Sequence, residues 1–421
     1  MGGTSYPKAG KDRPTAVIVG LEANGLGVAR ALARYSIPCI ALAGPFWNPC
    51  YRTNACSVVR GSDWTAEALV RDLRTIGGRL QQKAPLLLTK DQAVLWVSEA
   101  REELSEFFEI ALPDKATVNL LMSKVEFVEL ARARGWPVPK TWTIETRDAL
   151  VSRLPEFVYP CILKPRFKND DFRLHSPQKA FRVTSREELL KAYDLVAAWE
   201  KEVVIQEWID GTDERIAFCL GYCDRESNPR ALFAGRKLIQ WPVGWGNTAV
   251  SEPAPREWAD PIVALTREIW KTVGYKGLGS IEYKMRRDSN TPVLIEPTVG
   301  RTDFQSELAV LNGVNIPATA YFDLARLPLP EAEELPPVTK LVNGPAHWRA
   351  AKVFMSQPQE LGISKWMRAR SGRKRYMILR VNDFRPFLSS IYARVRGATG
   401  DWLERLVGTE LKRKLAARLT R

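Results

Sequence analysis

Only two histidines, His175 and His347, occur in 421 residues, and the six cysteines include no C-x-x-C pair. Structural zinc needs Cys and His ligands at short spacings, and the commonest nucleophile–base pairs need a histidine, so this inventory nearly excludes both chemistries. The scattered cysteines read as unpaired, mostly buried thiols of a reducing compartment. No run of about 18 apolar residues is present, which excludes a membrane-spanning helix. The opening Met1–Pro14 has no apolar core of a secretory signal, and Tyr6 stands where a myristoylation signal carries Ser or Thr. The expectation is a cytoplasmic protein.

What is present is ordinary for a packed protein: 45% hydrophobic and 26% charged residues. At about 150 residues per domain the length predicts two to four domains. The charge is uneven. Of 62 Lys and Arg and 48 Asp and Glu, 19 and 5 respectively fall in Lys340–Arg421, leaving 43 of each before it. The net charge of +14 therefore belongs to the carboxyl-terminal region.

Thr15–Gly20 is a β-branched run, and Val28, Ala31 and Leu32 follow at helical spacing. A second strand is expected at Pro38–Leu42, a helix near Ala66–Ile76, a strand at Pro85–Leu88 and a helix from Glu99. Such alternation predicts a parallel sheet covered by helices. Gly20, Gly25 and Gly27 form G-x-x-x-x-G-x-G, which is not the dinucleotide fingerprint G-x-G-x-x-G and reads as a tight βα turn.

After Asp114 a helix at Lys124–Arg134 stops at Gly135, with Pro137 and Pro139 beyond it. Strands ending at Lys164 and at Gln206 flank a polar stretch, 166–180, and a helix at Ser185–Trp199. Ser280-Ile281-Glu282 and Leu294-Ile295-Glu296 place two carboxylates at strand positions, where adjacent antiparallel strands would bring them to one face. Two such carboxylates repel unless a divalent cation lies between them, and Mg²⁺ takes carboxylate and phosphate oxygens. Residues 328–337 read as an acidic, proline-containing linker. From Phe384 to Arg421 apolar residues recur at helical spacing between arginines and lysines, which predicts two amphipathic helices broken at Gly397–Gly400. That face would either dock on the body or lie on an anionic membrane surface through 384–421, peripheral to the inner face of the plasma membrane. Nucleic acid is not expected as a partner.

Lys124, Lys164 in C-I-L-K-P, the Q-E-W-I-D-G segment from Gln206, Arg236-Lys237, Glu282, Glu296 and Arg301 occur in an order that resembles the ATP-grasp superfamily. Within it the resemblance is to carboxylate–amine ligases related to D-alanine–D-alanine and D-aspartate ligases, over roughly residues 15–325. It implies a polar leader at 1–13, a Rossmann-like domain at 14–113, a two-lobed ATP-grasp domain at 114–330, and a linker with a basic helical tail at 331–421. It implies ATP and Mg²⁺ as cofactors and small carboxylate and amine substrates. The activity it implies is ADP-forming ligation through an acyl phosphate, possible in cell-envelope or secondary-metabolite biosynthesis. The alternative is a catalytically weak ATP-binding module held to a membrane assembly by its tail.

The same resemblance implies roles. Lys124 and Lys164 hold phosphates, Gln206, Glu207 and Ile209 border adenine, and Asp213 accepts from ribose. Glu282, Glu296 and Thr298 bind the metal, while Arg301 and Lys237 act at the reacting groups. Thr298 stands where the family's Glu-x-Asn carries Asn, and the glycine-free stretch 166–180 stands where a glycine-rich lid is common. Either Arg166, Lys168, Arg173, His175 and Lys179 clamp phosphates there with side chains, or the stretch is an ordinary solvated loop.

Overall fold

In a computed structural model the chain is described for residues 13–165, 180–244, 246–301, 303–329, 338–356 and 362–395. Four short apolar runs, Ala16–Val19 (β1), Cys39–Ala43 (β2), Ser57–Arg60 (β3) and Ala84–Leu88 (β4), with Phe108–Glu109 (β5), form a five-stranded sheet. Its order is β3-β2-β1-β4-β5 and every pairing is parallel. Because β1, β2 and β4 are buried on both faces, they read as continuous apolar runs rather than alternating ones. Helices Ala23–Ala33, Ala66–Gly77 and Asp91–Glu99 cover the sheet. Thr65 caps the second of these by accepting from the Ala68 N–H at 3.2 Å. The third begins at Asp91, eight residues before the expected start, because its amino-terminal half carries the buried Ala93, Val94 and Val97.

A second sheet is antiparallel, with the order β6-β9-β7-β8: Thr141–Ile144 (β6), Cys161–Pro165 (β7), Phe181–Val183 (β8) and Val203–Glu207 (β9). Helix Arg186–Val196 packs on it behind a Ser185 cap. Helix Lys124–Ala133 leads in and ends at Gly135, whose φ of +69° is the left-handed conformation that favours glycine there.

The third sheet has seven strands in the order β14-β13-β10-β11-β12-β15-β16. They are Ile216–Cys223 (β10), Pro229–Trp241 (β11), Asn247–Pro253 (β12), Gly277–Met285 (β13), Pro292–Val299 (β14), Lys340–Val342 (β15) and Lys374–Tyr376 (β16). The region after 331, expected as linker and tail, thus supplies two sheet strands and the helices Gly344–Ser356 and Ile363–Arg370. Three-residue strands carry no readable period, which is why the sequence hid them. A helix over 385–395 matches the first expected tail helix. The second tail helix, the stretch 166–179 and most of the acidic linker lie outside the described residues. All six cysteines are unpaired, and five are buried.

Candidate functional site

β13 and β14 pair antiparallel with Glu282 opposite Glu296 and Ser280 opposite Thr298. A bulge follows: Tyr283 pairs with Leu294, leaving Ile295 unmatched. Glu296 and Thr298, two residues apart on one strand, therefore share a face, and both line a cleft of about 1120 Å³ with Lys124, Lys164, Gln206 and Arg301. The cleft lies between the four-stranded and seven-stranded sheets and is floored partly by helix Lys124–Ala133.

Its charges are interlocked. Lys124 Nζ lies 3.1 Å from Glu296 Oε2, and Lys237 Nζ lies 2.5 Å from Glu282 Oε2. Burial, with the facing Glu296 carboxylate, holds the Glu282 carboxyl above its ordinary range, while Lys237 pulls it back. Lys164 Nζ donates to Gln206 Oε1 at 2.9 Å, and Gln206 Nε2 donates to Thr141 Oγ1 at 3.0 Å. The two lysines that sequence spacing could only place about forty residues apart are thus brought to one cavity by β7 and the start of helix Lys124–Ala133.

Asp213, which the resemblance makes a ribose acceptor, is 6% exposed. It accepts from Gln240 N (2.8 Å), Gln240 Nε2 (3.1 Å) and Gly244 N (3.0 Å), because the turn Asp213–Arg215 folds against β11. Nor do Glu207 and Ile209 line the cleft: Glu207 N donates to Lys140 O at 2.8 Å, its carboxylate takes Arg286 and the Lys140 N–H, and Ile209 is buried. Arg301 forms a fork on Asp91 (2.7 Å to each oxygen) and reaches Asp303 at 2.8 Å. These partners hold its guanidinium firmly protonated against burial. Arg236 donates twice to Glu252 Oε1, at 3.0 and 2.6 Å.

Residues that sequence reasoning missed are Asp91, Asp303 and Lys284. Lys284 Nζ donates to the carbonyls of Gly211 (2.7 Å) and Thr212 (3.2 Å), and burial pushes its pKa down to about 8. No local pattern marks Lys284 or Asp91, whose partners lie 73 and 210 positions away, whereas Asp303 stands two residues from Arg301, within range of a local reading.

Among the described residues no group of three His, Cys, Asp or Glu side chains stands ready for a metal. Two facing carboxylates, each already neutralised by a lysine, with a hydroxyl alongside, nevertheless fit a hard divalent ion that draws its remaining oxygens from phosphates and water.

No family model matches the chain. It is 24% identical over 321 residues to a D-aspartate ligase of Enterococcus faecium, covering 71% of this chain and 74% of that one. A D-alanine–D-alanine ligase of a Thermoanaerobacter species is 24% identical over 192 residues, 42% of this chain and half the length of that relative. The biotin carboxylase domain of a Hydrogenobacter thermophilus 2-oxoglutarate carboxylase, solved with MgADP and bicarbonate, superposes with a TM-score of 0.57 at 14% identity, covering 75% and 71% of the two chains. In sequence the chain is similar to D-aspartate and D-alanine–D-alanine ligases, and in fold to the ATP-grasp carboxylate–amine ligases.

Proposed function

We propose that the chain joins a small carboxylic acid to an amine at the expense of ATP. A carboxylate oxygen of the acid attacks the γ-phosphorus, the bond to the bridging oxygen breaks, and ADP leaves. The amine nitrogen then attacks the acyl carbon, phosphate departs with the electron pair, and the nitrogen's proton passes to solvent. Lys124 and Lys164 hold the phosphate chain. Glu282, Glu296 and Thr298 hold Mg²⁺, which when bound supplies charge neutralisation to the phosphates. Lys237 keeps Glu282 ionised, Arg301 sits beside the developing charge on the transferred group, and Gln206 fixes Lys164. Glu207, Ile209 and Asp213 stand behind the cleft lining, Glu207 bearing on it through Lys140 and Asp213 through the hairpin it anchors. The observation that carries this reading is Glu296, opposed to Glu282 across the two strands, lining one cleft with both lysines.

The test is ADP release against pools of acids and amines. Glu296→Gln is expected to lower turnover about 100-fold or more, in line with loss of an electrostatic contact at the reacting centre. Retained nucleotide binding without turnover for any acceptor would favour a binding module instead.

A membrane-facing role for the carboxyl-terminal region is a second part of the proposal. Helix 385–395 exposes Leu388, Ile391, Tyr392 and Val395, spaced i, i+3, i+4 and i+7, inside the stretch that carries the whole excess of positive charge. Apolar rings and branched chains beside arginines suit an anionic lipid surface. Among the described residues no helix is long and apolar enough to cross a membrane, so the contact would be peripheral. Full-length protein should float with vesicles containing phosphatidylserine, and Leu388→Glu with Ile391→Glu should abolish that flotation; equal flotation of both removes the idea.

A further inference from the structure

The five-stranded sheet changes winding direction between β1 and β4, and parallel sheets bind ligands at the carboxyl ends of the strands flanking such a point. Here those ends carry an aromatic rim with one ion pair at its centre. Lys90 follows β4; its Nζ lies 2.6 Å from Glu22 Oε1, in the turn after β1, and 4.7 Å over the ring of Trp64. Gly44, at the end of β2, lies between Tyr51 and Trp64: a Cβ there would come 3.5 Å from the Tyr51 hydroxyl and 3.9 Å from the Trp64 ring. The loop that leaves β2 exposes Phe46 at 83% and Trp47 at 48%. Asp91, next to Lys90, lines the phosphate-side cleft and grips Arg301, so the rim adjoins the reacting end of that cleft.

We infer that this rim receives the amine-bearing substrate, and that the substrate carries a flat apolar group, aromatic in the simplest case. Phe46 and Trp47, left in water at a strand-end loop, gain by covering a partner's apolar face, and the half-buried Trp64 and Tyr51 beside them offer ring edges and planes for stacking. Glu22 and Lys90 then separate to meet the substrate's ammonium and, where present, its carboxylate. A substrate as small as alanine would leave the rings uncovered. The inference rests on the ligase reading only for what becomes of the bound amine.

Saturation-transfer NMR and equilibrium titration of the full chain with phenylalanine, phenethylamine and alanine test it. The aromatic probes should bind at least about tenfold more tightly than alanine. Trp64→Ala should remove that preference, Trp64→Phe should restore most of it, and both variants should keep wild-type ADP affinity and a cooperative melt, lowered in Trp64→Ala by its lost packing on Trp96. Equal binding of alanine and phenylalanine, no binding of either aromatic probe, or a preference unchanged in a folded Trp64→Ala protein would each overturn it. Aromatic binding without ADP release in the presence of any acid would count against the ligase reading and leave the rim standing. ADP release driven equally by alanine-sized amines would do the reverse.

Discussion

His347 shows how a single buried side chain makes the fold sensitive to pH. Only 1% exposed, it stacks on Trp366 with ring centres 4.5 Å apart, and neither ring nitrogen has a hydrogen-bond partner. Burial first, then the nearby Arg370, pushes its pKa down to about 4. The neutral ring is the native form, while an unfolded chain would take up the proton near pH 6.5. Stability from this residue is complete above about pH 6.5 and declines as the pH falls towards 4, by at most about 3 kcal/mol. Thermal melts from pH 7.5 to 4.5 should show this loss in the wild type, and His347→Phe should flatten it. A parallel decline in both proteins would assign the acid sensitivity elsewhere.

Elements are decided by closer constraints. Helix Ala23–Ala33 starts against the end of β1, and Gly25 is needed there because a Cβ would come within 2.0 Å of the Gly20 carbonyl oxygen. Gly20 itself has a φ of +90°. The glycine spacing, which the sequence already separated from a dinucleotide fingerprint, is thus a packing requirement of the βα turn. Gly25→Ala should destabilise by about 1–3 kcal/mol through overpacking, read as a lower urea midpoint. An unchanged midpoint would mean that the turn relaxes at no cost. In the seven-stranded sheet the bulge at Ile295 settles which residues accompany Glu296: Thr298 shares its face, while Leu294 turns into the core. The two glutamate strands were legible in the sequence, but the offset between them was not, since a bulge leaves no compositional mark.

Across the whole molecule, the carboxyl-terminal region is fastened to the first sheet by buried charge. Asp383, 3% exposed, accepts from Arg30 Nε (2.9 Å), Thr53 Oγ1 (2.6 Å) and Asn54 N (3.0 Å), and Arg380 pairs with Glu307 at 2.6 Å. Removing one member leaves Arg30 buried without its carboxylate, which costs about 3–5 kcal/mol in comparable pairs. Asp383→Ala should therefore lower the denaturation midpoint and expose 377–395 to protease before the rest of the chain. Cleavage spread evenly along the chain would argue against a fastening role.

The sequence by itself determined the strand–helix alternation of the first 110 residues, the helix that Lys124 opens, the strand that carries Lys164 and the pair of glutamates. Each is a local matter of apolar period, turn residues and charge at a strand end, and local signals survive in the order of residues. Only the tertiary structure decided that Asp91 holds Arg301, that Asp213 turns inward to Gln240, and that two strands beyond residue 339 complete the large sheet. Those outcomes depend on hydrogen bonds and ion pairs closed across tens to hundreds of residues, where the partner is chosen by packing and burial rather than by any neighbour in the chain.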